Sequence, residues 1–464
     1  MKIIKREFTF LILLLLVLTG CNRQANLPVY YGQFCNEGRT SFRDVAGLKD
    51  PPNIVVWRYP HPTISDEIYF LTLDAPTIAE NVVYRGINAA LNLDNGKEVW
   101  GNHYKDYSYP ATVMGPYPYS GVVYGNKIFI VGGYPTEYLQ AYNKDTGKLA
   151  WKSECIGNIE TNTTSGRPLV INGRVYLAAS SVKNYEEKRD AQAAIWVWNA
   201  NSGKVVDKIF IEPVAELAVG KYRTLFPLTT MLAADGPDIY GITKFTNDST
   251  YRNYIFCYET LTKKFTWFEP IEGFQEGYRE MIAVDKDVIA ISLVGDQWGG
   301  KEPQFFIKVF DKVSHKPLWE NISKTNRELE PVLTISFLAL HNGKLYAMTM
   351  DKRFVCFDSK TGREIWAFKD KDWQSDWWKQ LNKYGNIFRE DDIAVTKDVV
   401  FFNVDKAIYA FNIDTGKMLW RKIVEKGNSF VNIMPVDNGL LVTYQDNVYD
   451  MPQKPAISEL WEGS

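Results

Sequence analysis

One local pattern returns along the whole chain, and it ends in tryptophan. Its clear copies are Ala-Leu-Asn-Leu-Asp-Asn-Gly-Lys-Glu-Val-Trp (Ala90–Trp100), Ala-Tyr-Asn-Lys-Asp-Thr-Gly-Lys-Leu-Ala-Trp (Ala141–Trp151), Cys-Phe-Asp-Ser-Lys-Thr-Gly-Arg-Glu-Ile-Trp (Cys356–Trp366) and Ala-Phe-Asn-Ile-Asp-Thr-Gly-Lys-Met-Leu-Trp (Ala410–Trp420). Weaker copies end at Asp207, Trp267 and Trp319, with a further candidate at Trp461. Successive ends lie 51, 56, 60, 52, 47, 54 and 41 residues apart. A period near fifty that spans the chain is the signature of a repeat array, and it constrains the fold before any local assignment.

The columns of the repeat have physical roles. Nine places before the end stand large apolar residues such as Leu91, Tyr142, Trp198 and Phe411, and ten places before stand compact ones such as Ala90, Val197, Cys257 and Cys356. Neighbouring strand residues face opposite ways, so each strand presents a large and a compact face. Eight places back is an Asx or acidic column, and four back is glycine at 96, 147, 203, 362 and 416. Asx side chains bond the backbone just ahead and glycine accepts positive φ, which is turn chemistry between two strands. The tryptophan after the turn can lie flat on a neighbouring sheet. Lys263 and His315 replace the glycine and Asp207 the tryptophan, so those copies are expected to differ in turn or edge.

A second series of short turns precedes the first, at Asn81, Asn126, Asn172-Gly173, Asp235-Gly236, Asp285, Asn342-Gly343, Lys397-Asp398 and Asp437-Asn438-Gly439. Two hairpins per unit make a four-stranded antiparallel sheet, and such sheets arranged radially are propeller blades. The reading is an all-β, eight-bladed propeller, with seven blades and a tail as the alternative. A strand from the other terminus can close the last blade and remove its free edge. Asn53–Trp57 and Ile457–Trp461 both fit that place.

The tandem Asp-x-x-Thr-Gly-x-x-x-Trp pattern resembles the pyrroloquinoline-quinone-type propeller repeat over residues 53 to 461. That family includes quinoprotein alcohol dehydrogenases and the B-subunit lipoprotein of the outer-membrane β-barrel assembly machinery. The resemblance implies the fold strongly and the activity weakly.

The first residues read as a targeting segment. Lys2, Lys5 and Arg6 precede an apolar run, Phe8 to Leu18, too short to span a bilayer. Leu18-Thr19-Gly20-Cys21 resembles a lipobox, which makes Cys21 the lipidated residue. The expected organisation is a signal peptide over 1–20, a lipidated linker over 21–52 and one propeller domain over 53–464. Asn22 after the cysteine favours an outer-membrane anchor facing the periplasm. Losing Lys2, Lys5, Arg6 and Glu7 takes the formal charge from −2 to −4, which is no footprint for nucleic acid. Cys257 and Cys356 stand in the compact column and read as buried apolar residues. Cys35 and Cys155 are free to pair in an oxidising compartment.

No linear catalytic signature is present. The quinoprotein branch implies a calcium-bound quinone on the axis and commonly a vicinal disulfide, yet no two cysteines are adjacent. The four histidines, at 61, 103, 315 and 341, form no metal-ligand spacing. No cofactor and no metal site are therefore expected. Trp373, Trp377 and Trp378, in the long link after Trp366, are the candidate partner-binding residues; groove packing is the competing explanation. The leading expectation is a non-catalytic envelope scaffold, not an enzyme. Its partners would be envelope proteins, a barrel-assembly complex among them. The alternative is an envelope enzyme or glycan-binding propeller.

Overall fold

The computed structural model describes residues 28–31, 42–59, 76–86, 89–101, 121–132, 136–154, 157–158, 168–181, 192–211, 232–247, 250–271, 277–295, 304–324, 338–349, 353–370, 393–404, 407–424, 428–446 and 457–463. They form eight antiparallel sheets, the blades of an eight-bladed β-propeller. Blade 1 runs from its inner strand Thr77–Ala79 through Val82–Arg85 and Ala89–Asn92 to the outer strand Glu98–Gly101. Blades 2 to 7 repeat this, from inner strands beginning at Val122, Leu169, Ala233, Gly277, Leu338 and Ile393 to outer strands ending at Lys152, Phe210, Pro270, Lys324, Phe368 and Ile423.

Blade 8 settles the closure and excludes the seven-bladed alternative. It takes Asn428–Val436, Gly439–Asp446 and Ile457–Glu462 from one end of the chain and Ile54–Tyr59 from the other. The two competing segments thus both belong to the blade, as its third and outer strands. Trp57, not Trp461, fills the eighth tryptophan position. Trp461 sits one strand inward, its Nε1 donating to Glu459 Oε2 at 2.7 Å. Glu459 is 3% exposed. It also accepts from Tyr444 and pairs with Arg58 of the closing strand at 2.5 Å.

The tryptophans join one blade to the next. Trp57 lies under Gly96, Trp100 under Gly147, Trp151 under Gly203, Trp319 under Gly362 and Trp366 under Gly416. In four of these contacts the indole N–H also donates to a backbone oxygen of the same turn: Trp57 to Leu93 (2.7 Å), Trp100 to Lys144 (2.7 Å), Trp151 to Ala200 (3.2 Å) and Trp319 to Ser359 (2.8 Å). Each turn is prepared by its Asx residue. Asn92 Oδ1, for example, accepts from the N–H groups of Asp94 and Asn95. Blade 8 has no such turn, and there Trp420 donates to Leu48 O at 2.9 Å. A piece of the N-terminal segment thereby replaces the missing turn.

The three irregular copies keep the joint by other chemistry. Lys263 and His315 hold the glycine conformation, with φ of 57° and 58°, so the backbone of these turns is not the altered feature. His315 stacks on Trp267 with centroids 4.5 Å apart and planes 7° from parallel. Where tryptophan and glycine are both missing, Lys263 Nζ pairs with Asp207 Oδ2 at 3.1 Å. This pair is half exposed and screened, so it contributes little to the joint between blades 3 and 4.

The stretch read as a linker is drawn into the ring. Val29–Tyr31 pairs antiparallel with Val122–Tyr124, on the inner edge of blade 2. Phe42 bridges Val395 of blade 7 and stacks on His341 of blade 6 at 3.7 Å. Gly47 N–H donates to Asp398 Oδ1, and Leu48 is buried in the core between blades 7 and 8.

Two predictions follow from these joints. Gly147 and Gly236 have nearly the same φ, 65° and 59°, but a Cβ at 147 would lie 2.5 Å from Trp100 and one at 236 meets nothing. Gly236→Ala should cost about 1 kcal/mol from the left-handed conformation alone. Gly147→Ala should cost about 1–3 kcal/mol more because it overpacks the indole. Urea unfolding of the two variants checks this, and equal losses would contradict the joint.

The second prediction concerns pH. Burial pushes the imidazole of His315 below its ordinary 6.5, against the opposing pull of Glu269, Asp238 and Asp311. The unfolded chain then binds the proton more tightly. The stabilisation is complete above pH 6.5 and is lost as pH falls toward the depressed value. His315→Gly should flatten the stability profile in that window, measured by thermal melts between pH 5 and pH 8.

Candidate functional site

Strand direction separates the two faces of the ring. In each blade the inner strand runs toward the first turn, the second returns, the third runs toward the glycine turn and the outer strand returns. Both turn series therefore lie on one face, the turn face. Connections between second and third strands, and between one blade and the next, leave from the opposite face, the open rim. All blade segments outside the described residues, among them 102–120, 212–231 and 371–392, are tied to that rim at both ends. Variable loops on a rigid scaffold are where propellers assemble sites.

The described residues at the rim fix where those connections start. Between blades 6 and 7, Tyr409 donates its hydroxyl to Asp370 Oδ2 at 3.0 Å, and Arg421 Nε lies 3.8 Å from the same oxygen. Between blades 8 and 1, Tyr59 donates to Glu98 Oε2 at 2.7 Å, and the Arg85 guanidinium lies 5.8 Å from the Tyr59 ring centroid. Burial, then the bond to Glu98, pushes the Tyr59 phenol well above its usual range. It stays a neutral donor. Thr77 Oγ1 donates to Gly121 O at 2.7 Å, clasping the starts of the inner strands of blades 1 and 2. Asn253, fully buried in the third strand of blade 4, has no side-chain hydrogen-bond partner among the described residues. These groups position strand ends; they do not assemble a reactive pair.

Cys21, Trp373, Trp377 and Trp378 lie outside the described residues, as do Cys35 and Cys155. Both ends of the stretch carrying the three tryptophans, at Asp370 and Ile393, are on the rim. Sequence reading missed Asp370, Tyr409 and Arg421, because their meeting depends on how two blades pack and no column records it.

Cys257 and Cys356 are buried in strands two blades apart, and burial pushes their thiols up to about 11 and about 12. No group of three His, Cys, Asp or Glu side chains able to hold a metal ion occurs among the described residues. Neither thiol should react with maleimide in the folded protein, and Cys257→Ala and Cys356→Ala should each cost about 1–2 kcal/mol as small buried deletions. Mass-spectrometric labelling of the native protein checks the first point and urea unfolding the second.

A family model described as outer membrane protein assembly factor BamB matches residues 85–217 and 305–454. Tetrathionate hydrolase of Acidithiobacillus ferrooxidans is 22% identical over 401 residues, 76% of this chain and 74% of that protein. Two solved structures share the fold. A europium-containing methanol dehydrogenase superposes with a TM-score of 0.59 at 13% identity, covering 95% of this chain and 99% of its own. A quinohemoprotein alcohol dehydrogenase from Comamonas testosteroni superposes with a TM-score of 0.57 at 12% identity, covering 95% and 81%.

These matches correct the expectation of a non-catalytic scaffold that is not an enzyme. The curated relative is an enzyme, matched across three quarters of this chain, and the two solved structures are enzymes on the same propeller. The physical reason for the error is plain. A propeller site is built from loops of several blades, so the lack of a linear motif carries no weight against one. The family match also allows partners in the envelope.

Proposed function

This chain belongs to the family described as outer membrane protein assembly factor BamB, matched over more than half its length, and within that family we propose that it is an envelope enzyme working at the open rim of its propeller. The observation that carries this reading is the similarity to tetrathionate hydrolase over 401 residues. It makes tetrathionate the first substrate to assay. Tetrathionate is a small dianion, so binding it calls for N–H donors and cations converging on one pocket, which rim loops from several blades can supply.

Purified protein, with no quinone and no dye acceptor added, should consume tetrathionate saturably and lose that activity on boiling. Consumption no faster than in the boiled control, across pH 3 to pH 8, would overturn the substrate assignment.

The same reading places the protein on the outer membrane, facing the periplasm and held by the acyl chains of a diacylated Cys21. The basic start, the short apolar run and Leu18-Thr19-Gly20-Cys21 support it. Contacts with envelope proteins, a barrel-assembly complex among them, accord with the family. Cys21→Ser should abolish metabolic labelling of the protein with a radioactive fatty acid; labelling that persists would refute the anchor.

A further inference from the structure

We infer that the turn face of the propeller is a membrane-docking surface, seated on a bilayer that contains anionic lipid. Three observations on that one face point to it. The first is where the chain emerges. Val29 pairs with Tyr124, the last residue of the inner strand before the turn at Gly125. Val29, and Pro28 before it, therefore stand at the turn-face end of this strand pair. Only seven positions separate Cys21 from Pro28, a reach of at most about 25 Å for extended chain.

The second observation is apolar. Leu261 is 73% exposed and Val313 is 88% exposed, the two highest values among the large apolar residues described. Both stand six places before the end of their repeats, in adjacent blades. The other copies hold Asp94, Asp145, Asn201, Lys360 and Asp414 at that position. Turn chemistry requires no apolar side chain there, and nothing in the ring covers these two.

The third is charge. Three places before the end of each copy stands an exposed cation: Lys97, Lys148, Lys204, Lys264, Lys316, Arg363 and Lys417. None of the seven is in an ion pair among the described residues. The other lysines of this face are largely neutralised locally, Lys312 by Asp235, Lys360 by Asp287, Lys144 by Glu80 and Lys263 by Asp207. Acids beside the two apolar tips are turned into their own turns: Glu259 accepts from Thr262, and Asp311 accepts from Ser314 N–H and Oγ. Asp238 sits beside Glu259, where burial and that neighbour raise its pKa. What projects from the turns of blades 4 and 5 is Leu261 and Val313, flanked by Lys264 and Lys316.

Apolar tips between lysines are the chemistry of a bilayer interface. Each lysine near an anionic leaflet contributes roughly a fivefold gain in affinity. Seating the turn face on the membrane also aims the open rim at the aqueous compartment, where a small substrate arrives. The inference uses the anchor reading for the chain's exit, and its test is made without the acyl chains.

The test uses the full chain carrying Cys21→Ser, mixed with vesicles of phosphatidylcholine alone or with phosphatidylglycerol at three to one. The parent should sediment with the anionic vesicles. Leu261→Ser with Val313→Ser, and separately Lys264→Glu with Lys316→Glu, should each weaken that binding at least tenfold with melting temperatures unchanged. Binding by either double variant equal to the parent's, or no parental binding to anionic vesicles, would overturn the docking surface. Loss of fatty-acid labelling in Cys21→Ser in cells reports on the anchor independently.

Discussion

The contact between an outer-strand tryptophan and the turn of the next blade is the interaction on which the rest of this ring depends. Five indoles lie against a turn glycine where a Cβ would collide, as at Gly96 and Gly147. Four of them add a hydrogen bond that only one blade orientation satisfies. Flat aromatic surface supplies the burial, and the N–H supplies the angle. Repeated around the circle, the joint demands a partner for the last blade. The N-terminal segment meets that demand twice, with Trp57 in the outer strand and with Leu48 O beneath Trp420.

This dependence explains why much of the fold was legible in sequence and where legibility stopped. Trp100, Gly147 and Asn143 recur at fixed offsets because they build the joint, so a period read from them reports architecture directly. Closure was ambiguous for the same reason. Trp57 and Trp461 both end strand-like segments, and only pairing partners tell the third strand of blade 8 from the outer one. The irregular copies at Lys263 and His315 were visible as departures. Their replacements, an ion pair to Asp207 and a stack on Trp267, join residues about fifty apart and needed the packed ring to be seen.

Function was far less legible, and the scaffold makes that understandable. The two faces carry different information. Turn-face residues obey the repeat, so an exception such as Leu261 or Val313 stands out against its column. Rim connections obey no repeat, and residues there that meet, such as Asp370 with Tyr409, come from different blades. A search for linear catalytic motifs reads neither. The similarity to an enzyme across 401 residues carried information that spacing and composition did not.

The claim at the centre of this account is that the indole-on-glycine joint sets blade-to-blade stability. The joint between blades 3 and 4, where Asp207 and Lys263 stand in for it, is where that claim is most exposed. A double-mutant cycle on Asp207→Trp and Lys263→Gly, followed by urea unfolding, measures it directly. The tryptophan alone meets the lysine stem and should destabilise. With glycine opposite, the pair should be more stable than either single variant, with a coupling of about 1–3 kcal/mol. Additive effects of the two substitutions would contradict the account.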